Sequence, residues 1–110
     1  MVNPEHYTYR VTWSEEDKEY IGLCAELPSL SYLDQNHTNA LSGIIQLVKE
    51  VVADLIVNQE KVPEPIADQR FSGKFVVRIP PELHRMLTIK AAEAHVSLNR
   101  YISAKLAYEG

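Results

Sequence analysis

FSGKFVVRIPPELHRMLTIKAAEAHVSLNRYISAKLAYEG, residues 71–110, opens as a strand and closes as two helices. Phe75, Val77 and Ile79 alternate with Lys74, Val76 and Arg78, the period of two that marks a strand with one apolar face. Pro80 and Pro81 end the strand, and a proline suits the first turn of a helix because its missing N–H is not needed there. Leu83, Met86, Leu87, Lys90 and Ala91 then give a partly apolar helical face that stops near Ala94 or His95. Ser97 is placed to cap a last helix with apolar positions Leu98, Tyr101, Ile102 and Leu106. One strand and two short helices make too small a core to stand alone. Pairing with a second copy through the strand completes it, with Phe75, Val77 and Ile79 in the dimer core. The paired ribbon offers an outward row of Lys74, Val76 and Arg78, and a two-stranded ribbon fits the major groove of DNA.

Upstream, residues 63–70 (PEPIADQR) read as a linker that prolines hold extended. Before it, Leu41, Ile44, Ile45, Val48, Val52, Leu55 and Ile56 recur at three- and four-residue spacing. This predicts an amphipathic helix from about Asn39 to Val57, capped by Thr38. Gly43 lowers its helix propensity and allows close approach to a sheet. Tyr7, Tyr9, Val11 and Trp13 alternate with polar residues, and Ile21, Leu23, Ala25 and Leu27 share one face of a second run. The two runs, joined by the charged turn SEEDKE (residues 14–19), predict an antiparallel hairpin. Pro28 stops the second strand, and residues 30–33 suit a short third. The fold class is therefore α+β. Residues 1–62 form a small antiparallel sheet with one long helix, 63–70 the linker, and 71–110 the strand–helix–helix module.

Charge divides along the same line. Residues 1–70 carry 5 Lys and Arg against 12 Asp and Glu, a net −7, and residues 71–110 carry 6 against 3, a net +3. The basic part suits phosphates, and the acidic part is free to meet something basic. Hydrophobic residues make up 45% of the chain, which is ample for a packed core and argues against disorder. No run approaches the roughly 18 apolar residues that span a bilayer, and MVNPEHYTYR lacks an apolar signal core. A soluble, cytoplasmic protein with no membrane contact is expected.

The residues offer no catalytic constellation, and no cofactor is expected. Glu15, Glu16, Asp17 and Glu19 lie in a turn, where neighbouring carboxylates splay apart and suit a solvated surface or a basic partner better than acid–base chemistry. His6, His37, His84 and His95 lack metal-ligand spacing, and the single cysteine, Cys24, has no cysteine partner. Cys24 falls in an alternating apolar run, where a buried, inert thiol is expected. No metal site, phosphate loop or nucleophile elbow is present, and the chain is not read as an enzyme.

The segment GKFVVRIP followed by PELHRMLTIKAAEAHVSLNRYI resembles a ribbon-helix-helix domain and is similar to the C-terminal domain of HicB-family antitoxins. The remainder of the chain extends the resemblance: YTYRVTWSEEDKEYIGLCAELPSL, DQNHTNAL and VPEP follow the family's order of aromatic strand, charged turn, second strand, polar cap, long helix and proline-containing tail. Ser14 to Glu19 and Pro28-Ser29 stand where the family has a glycine-rich hairpin and a PGC-like step. The resemblance implies an N-terminal module with a degenerate ribonuclease-H-like shape, without a set of metal carboxylates. It implies base reading by Lys74, Val76 and Arg78, and a DNA phosphate against Ser97, Leu98 and Asn99.

It further implies an antitoxin of a bacterial type II toxin–antitoxin system. The N-terminal module would neutralise a HicA-like toxin that cleaves messenger RNA. The C-terminal module would dimerise through its strand and bind double-stranded operator DNA to autoregulate its operon, with tetramers as a further step the family suggests. Two alternatives stand beside this reading. One is an orphan ribbon-helix-helix repressor whose N-terminal domain binds a ligand or another protein, and the other is a degenerate nuclease.

Overall fold

The computed structural model describes residues 1–109, and the chain divides into two units between Phe71 and Ser72. The first unit holds a meander of three antiparallel strands in the order β1 (Tyr9–Ser14), β2 (Glu19–Cys24) and β3 (Ser31–Asp34). A 21-residue helix, α1 (His37–Val57), lies across one face. Tyr9 pairs with Cys24, Val11 with Gly22 and Trp13 with Tyr20. Residues directly opposite share a face of the sheet, so these six point toward the helix.

That register corrects the expected facing of β2. Ile21 and Leu23 are only half-buried, whereas Gly22 and Cys24 form its buried side. Both faces of β2 carry apolar residues, so hydrophobic alternation could not choose between them; the glycine could. A Cβ on Gly22 would sit 2.5 Å from the Ala40 carbonyl oxygen and 2.8 Å from Ile44 Cβ. Only a residue without a side chain lets α1 come so near. Gly43 plays the reciprocal part on the helix, with the Tyr32 ring of β3 filling the space its Cβ would need.

The helix begins two residues earlier than the sequence predicts. Asn36, not Thr38, is the cap, and its Oδ1 accepts from Asn39 N at 3.0 Å. Asp34 Oδ1 in turn accepts from Asn36 N at 2.8 Å, so the turn is set before the first helical residue and satisfies donors the helix leaves free. The buried side of α1 is Ala40, Ile44, Val48 and Val52, of which Ile44, Val48 and Val52 pack with Tyr7 and Cys24, while Leu41 and Ile56 at the edges of the expected stripe stay exposed. Fully burying an isoleucine or valine side chain is worth about 1.5–3 kcal/mol, so Ile44, Val48 and Val52 are the main tie between helix and sheet.

Residues 63–70, expected as a linker, are strapped to the first unit. Pro65 is fully buried, and Ile66–Asp68 form a short 3-10 turn. Tyr7 Oη donates to the Pro63 carbonyl at 2.7 Å, and His6 Nδ1 lies 3.0 Å from Asp68 Oδ1. Glu26 receives the Ile66 N–H at 2.9 Å with one carboxylate oxygen and the Thr8 N–H at 2.9 Å with the other. Burial pushes the Glu26 carboxyl up, but the N–H groups of Ile66 and Thr8 outweigh it and hold it below the ordinary range.

The second unit contains α2 (Pro81–Glu93) and α3 (Leu98–Glu109). Pro81 occupies the first turn of α2, and the helix closes on Ala94 with His95 in the left-handed region at φ 59°. The N–H groups of His95 and Val96 return to the carbonyls of Ala92 and Ala91. This satisfies the helix end and turns the chain into α3 without the usual glycine. Gly73, at φ 85°, supplies positive φ where the second unit begins. Among the described residues of this unit only Ala91 is buried.

Candidate nucleic-acid interface

Lys74 to Pro80 carry no ladder hydrogen bonds within the chain and are not a strand in the single copy. The expected strand of 74–79 is therefore not formed here, because among the described residues of this unit no second strand pairs with it; Lys74 N instead donates to Ser72 Oγ at 3.1 Å. From Phe75 onward the side chains of this segment sort by parity. Phe75, Val77 and Ile79 line one concavity of about 630 Å³ with Leu87 of α2 and Leu98, Ile102 and Leu106 of α3. Val76 and Arg78 are absent from that lining; Lys74 contributes to its rim. Phe75 remains 73% exposed, Val77 63% and Ile79 37%. Three large apolar side chains directed toward a helical groove and left this open are unusual for a finished core.

The outward row is equally open. Val76 is 88% exposed, and among the described residues neither Lys74 nor Arg78 has an ionic partner. Their charges are available to a ligand.

Ser97, Leu98 and Asn99 come together at the start of α3. Ser97 Oγ accepts from Arg100 N at 3.0 Å and its carbonyl from Tyr101 N at 2.9 Å, which makes it the expected cap. The first N–H groups of a helix, here those of Leu98 and Asn99, have no carbonyl one turn back to accept them. They and the helix dipole form an electropositive corner. Leu98 and Asn99 also line the concavity shared with Phe75, Val77 and Ile79, so the sites assigned to base reading and to phosphate lie within one small unit.

The remaining chemical candidates stay apart. Cys24 is 2% exposed, and burial pushes its thiol up, so it is a poor nucleophile. Among the described residues no group of three or more His, Cys, Asp or Glu could hold a metal ion, and no helix is long and apolar enough to cross a membrane. The sequence reading missed Glu26, whose reach across 40 residues to Ile66 has no local signal. It also missed that the rings of Trp13, Tyr20 and His37 meet edge to face, with Trp13 and His37 exposed and Tyr20 half-buried.

No curated protein and no solved structure matches the chain. Residues 56–106, from the end of α1 through the strap and most of the second unit, match the model of the HicB family. The match covers just under half of the chain and shows that this stretch is similar to the HicB family.

Proposed function

We propose that this protein is an antitoxin that binds and neutralises a HicA-like, messenger-RNA-cleaving toxin, and that it binds operator DNA as a dimer or tetramer to autoregulate its operon. The observation that carries the reading is the HicB match over residues 56–106. The acidic first unit, with its net charge of −7 over residues 1–70, has the sign that speeds encounter with a basic toxin. Inhibition then needs no chemistry from the antitoxin, only coverage of the toxin's active surface.

The second unit supports the DNA part. Pairing two copies through residues 74–79 would cover Phe75, Val77 and Ile79 and satisfy the unpaired backbone. Lys74, Val76 and Arg78 would then lie along the outer face of a ribbon of major-groove width. Arg78 can bond a guanine bidentately, Val76 can pack on a thymine methyl, and Lys74 can reach a base or a phosphate. The α3 start, Ser97 to Asn99, would take a backbone phosphate. Bivalent attachment of paired dimers would raise occupancy through effective concentration.

The test is coexpression with any short basic reading frame found beside the gene, followed by growth, copurification and promoter binding. Rescue from a growth-arresting, RNA-cleaving partner that copurifies in a defined ratio supports the reading. A chain that binds its own promoter but has no such partner is an orphan repressor, and the toxin part of the reading falls.

A further inference from the structure

Trp13 is the single tryptophan of the chain, and it is 46% exposed. It stands opposite Tyr20 in the β1–β2 register, with ring centroids 5.0 Å apart and planes at 71°. The Tyr20 ring meets His37, the first residue of α1, at 5.3 Å and 87°. Two strands and a helix start thus contribute one ring each to an edge-to-face series. Such contacts are worth about 0.5–1.5 kcal/mol each beyond burial, enough to hold the rings in place. Trp13 Nε1 donates to Glu15 Oε2 at 2.7 Å, which fixes the indole further. The ring is pre-organised yet open.

Its surroundings are acidic. Glu15, Glu16, Asp17 and Glu19 follow Trp13, and Asp34 pairs with Tyr20 across the strands. The one cation of the turn, Lys18, is already bonded to Glu15. The Lys18 and Trp13 hydrogen bonds hold the Glu15 carboxyl below its usual range, so it stays charged. An indole face beside fixed carboxylates is the chemistry that receives a guanidinium or ammonium group, by cation–π attraction on one side and a charged hydrogen bond on the other. Exposed tryptophan is also the residue type that most often dominates an interface.

We infer that the Trp13–Tyr20–His37 patch, with Glu15 at its edge, is where the first unit docks an arginine-bearing surface of a basic protein partner. The identity of that partner as the toxin rests on the reading above; the patch itself rests on its own geometry.

The probe is an oligoarginine peptide titrated into the full-length protein at low salt, followed by Trp13 emission and by calorimetry. The wild type should show saturable binding with a change in Trp13 emission. Trp13→Ala should weaken it about 2- to 30-fold, the range of a cation–π contact, and Trp13→Phe should lose less. Glu15→Gln should weaken it more than Glu60→Gln, which removes one charge from the same unit outside the patch. Circular dichroism checks that each variant folds. Undiminished binding by Trp13→Ala, or equal weakening by the two charge variants, would show diffuse electrostatics and overturn the inference. Repeating the series with the coexpressed toxin separates the two proposals. Toxin binding untouched by Trp13→Ala and Glu15→Gln overturns the patch and leaves the antitoxin reading intact. Peptide binding at the patch without any toxin partner does the reverse.

Discussion

Glu26→Gln should loosen the strap without removing any buried volume. In the native chain one carboxylate oxygen takes the Thr8 N–H at 2.9 Å, and the other takes Ile66 N–H at 2.9 Å and Thr8 Oγ1 at 3.2 Å. Glutamine keeps one acceptor and turns the second into an NH2 donor. That donor must face either the Thr8 N–H or the Ile66 N–H, so at least one backbone donor loses its partner. Hydrogen bonds to a charged group are worth about 1.5–3 kcal/mol each, less where water can substitute. Glu26 is only half-buried, so the expected loss is about 1–3 kcal/mol. For a unit of this size that lowers Tm by roughly 5–20 °C. Trp13, the lone tryptophan, reports unfolding of the first unit by its emission, and hydrogen exchange at the Ile66 amide should speed up. The pH dependence gives a second check. Because the folded carboxyl lies below its unfolded value of 4.5, its stabilisation is present above that value and is lost as pH falls through the folded one. The glutamine variant should lack this component. Equal melting of both proteins at neutral pH, with the same acid sensitivity, would refute Glu26 as the clasp of the strap.

The remaining expectations concern packing, pairing and ionisation. Gly22→Ala places a methyl 2.5 Å from the Ala40 carbonyl oxygen and should cost about 1–3 kcal/mol by forcing α1 off the sheet, measured by urea unfolding. Val77→Asp should prevent pairing of the second unit, since a buried carboxylate would face its copy; a dimer by light scattering would reverse the assigned faces of 74–79. Arg78→Ala should weaken operator binding by about 1–3 kcal/mol and relax sequence preference while leaving toxin neutralisation intact, and unchanged affinity in a gel-shift titration would remove Arg78 from the reading face. The Tyr9 hydroxyl is pushed up to about 12, by burial first and then by the neighbouring acidic groups. Its contribution to stability should be complete below pH 10 and lost as pH rises through 12, and Tyr9→Phe should flatten that part of the alkaline unfolding curve.

The sheet strands and the long helices were legible because each rests on a local signal, whereas the strand expected at 74–79 did not form because a strand needs a partner to pair with. Pro81 started α2, and Ser97 capped α3, as side-chain and ring chemistry require. The three strands and the long helix followed from apolar periodicity; strand ends were off by up to three residues, and the helix start by two because an asparagine cap competed with a threonine two places on. The facing of β2 was not legible. Ile21 and Leu23 on one side and Gly22 and Cys24 on the other read equally well as an inner face until the approach of α1 is known. The strap was read as a linker because its prolines speak only of local backbone, whereas Glu26 binds Ile66 across 40 residues.

The sequence by itself determined the order of the three sheet strands and the three long helices, the division of charge into an acidic and a basic part, and the alternation that sets Phe75, Val77 and Ile79 apart from Val76 and Arg78. Periodicity and charge are properties of near neighbours and survive without a fold. Only the tertiary structure decided which face of β2 meets the helix, that Pro65 is buried, and that Trp13 stands open beside Glu15. Each of these depends on what a distant segment covers or leaves bare, and no local pattern carries that information.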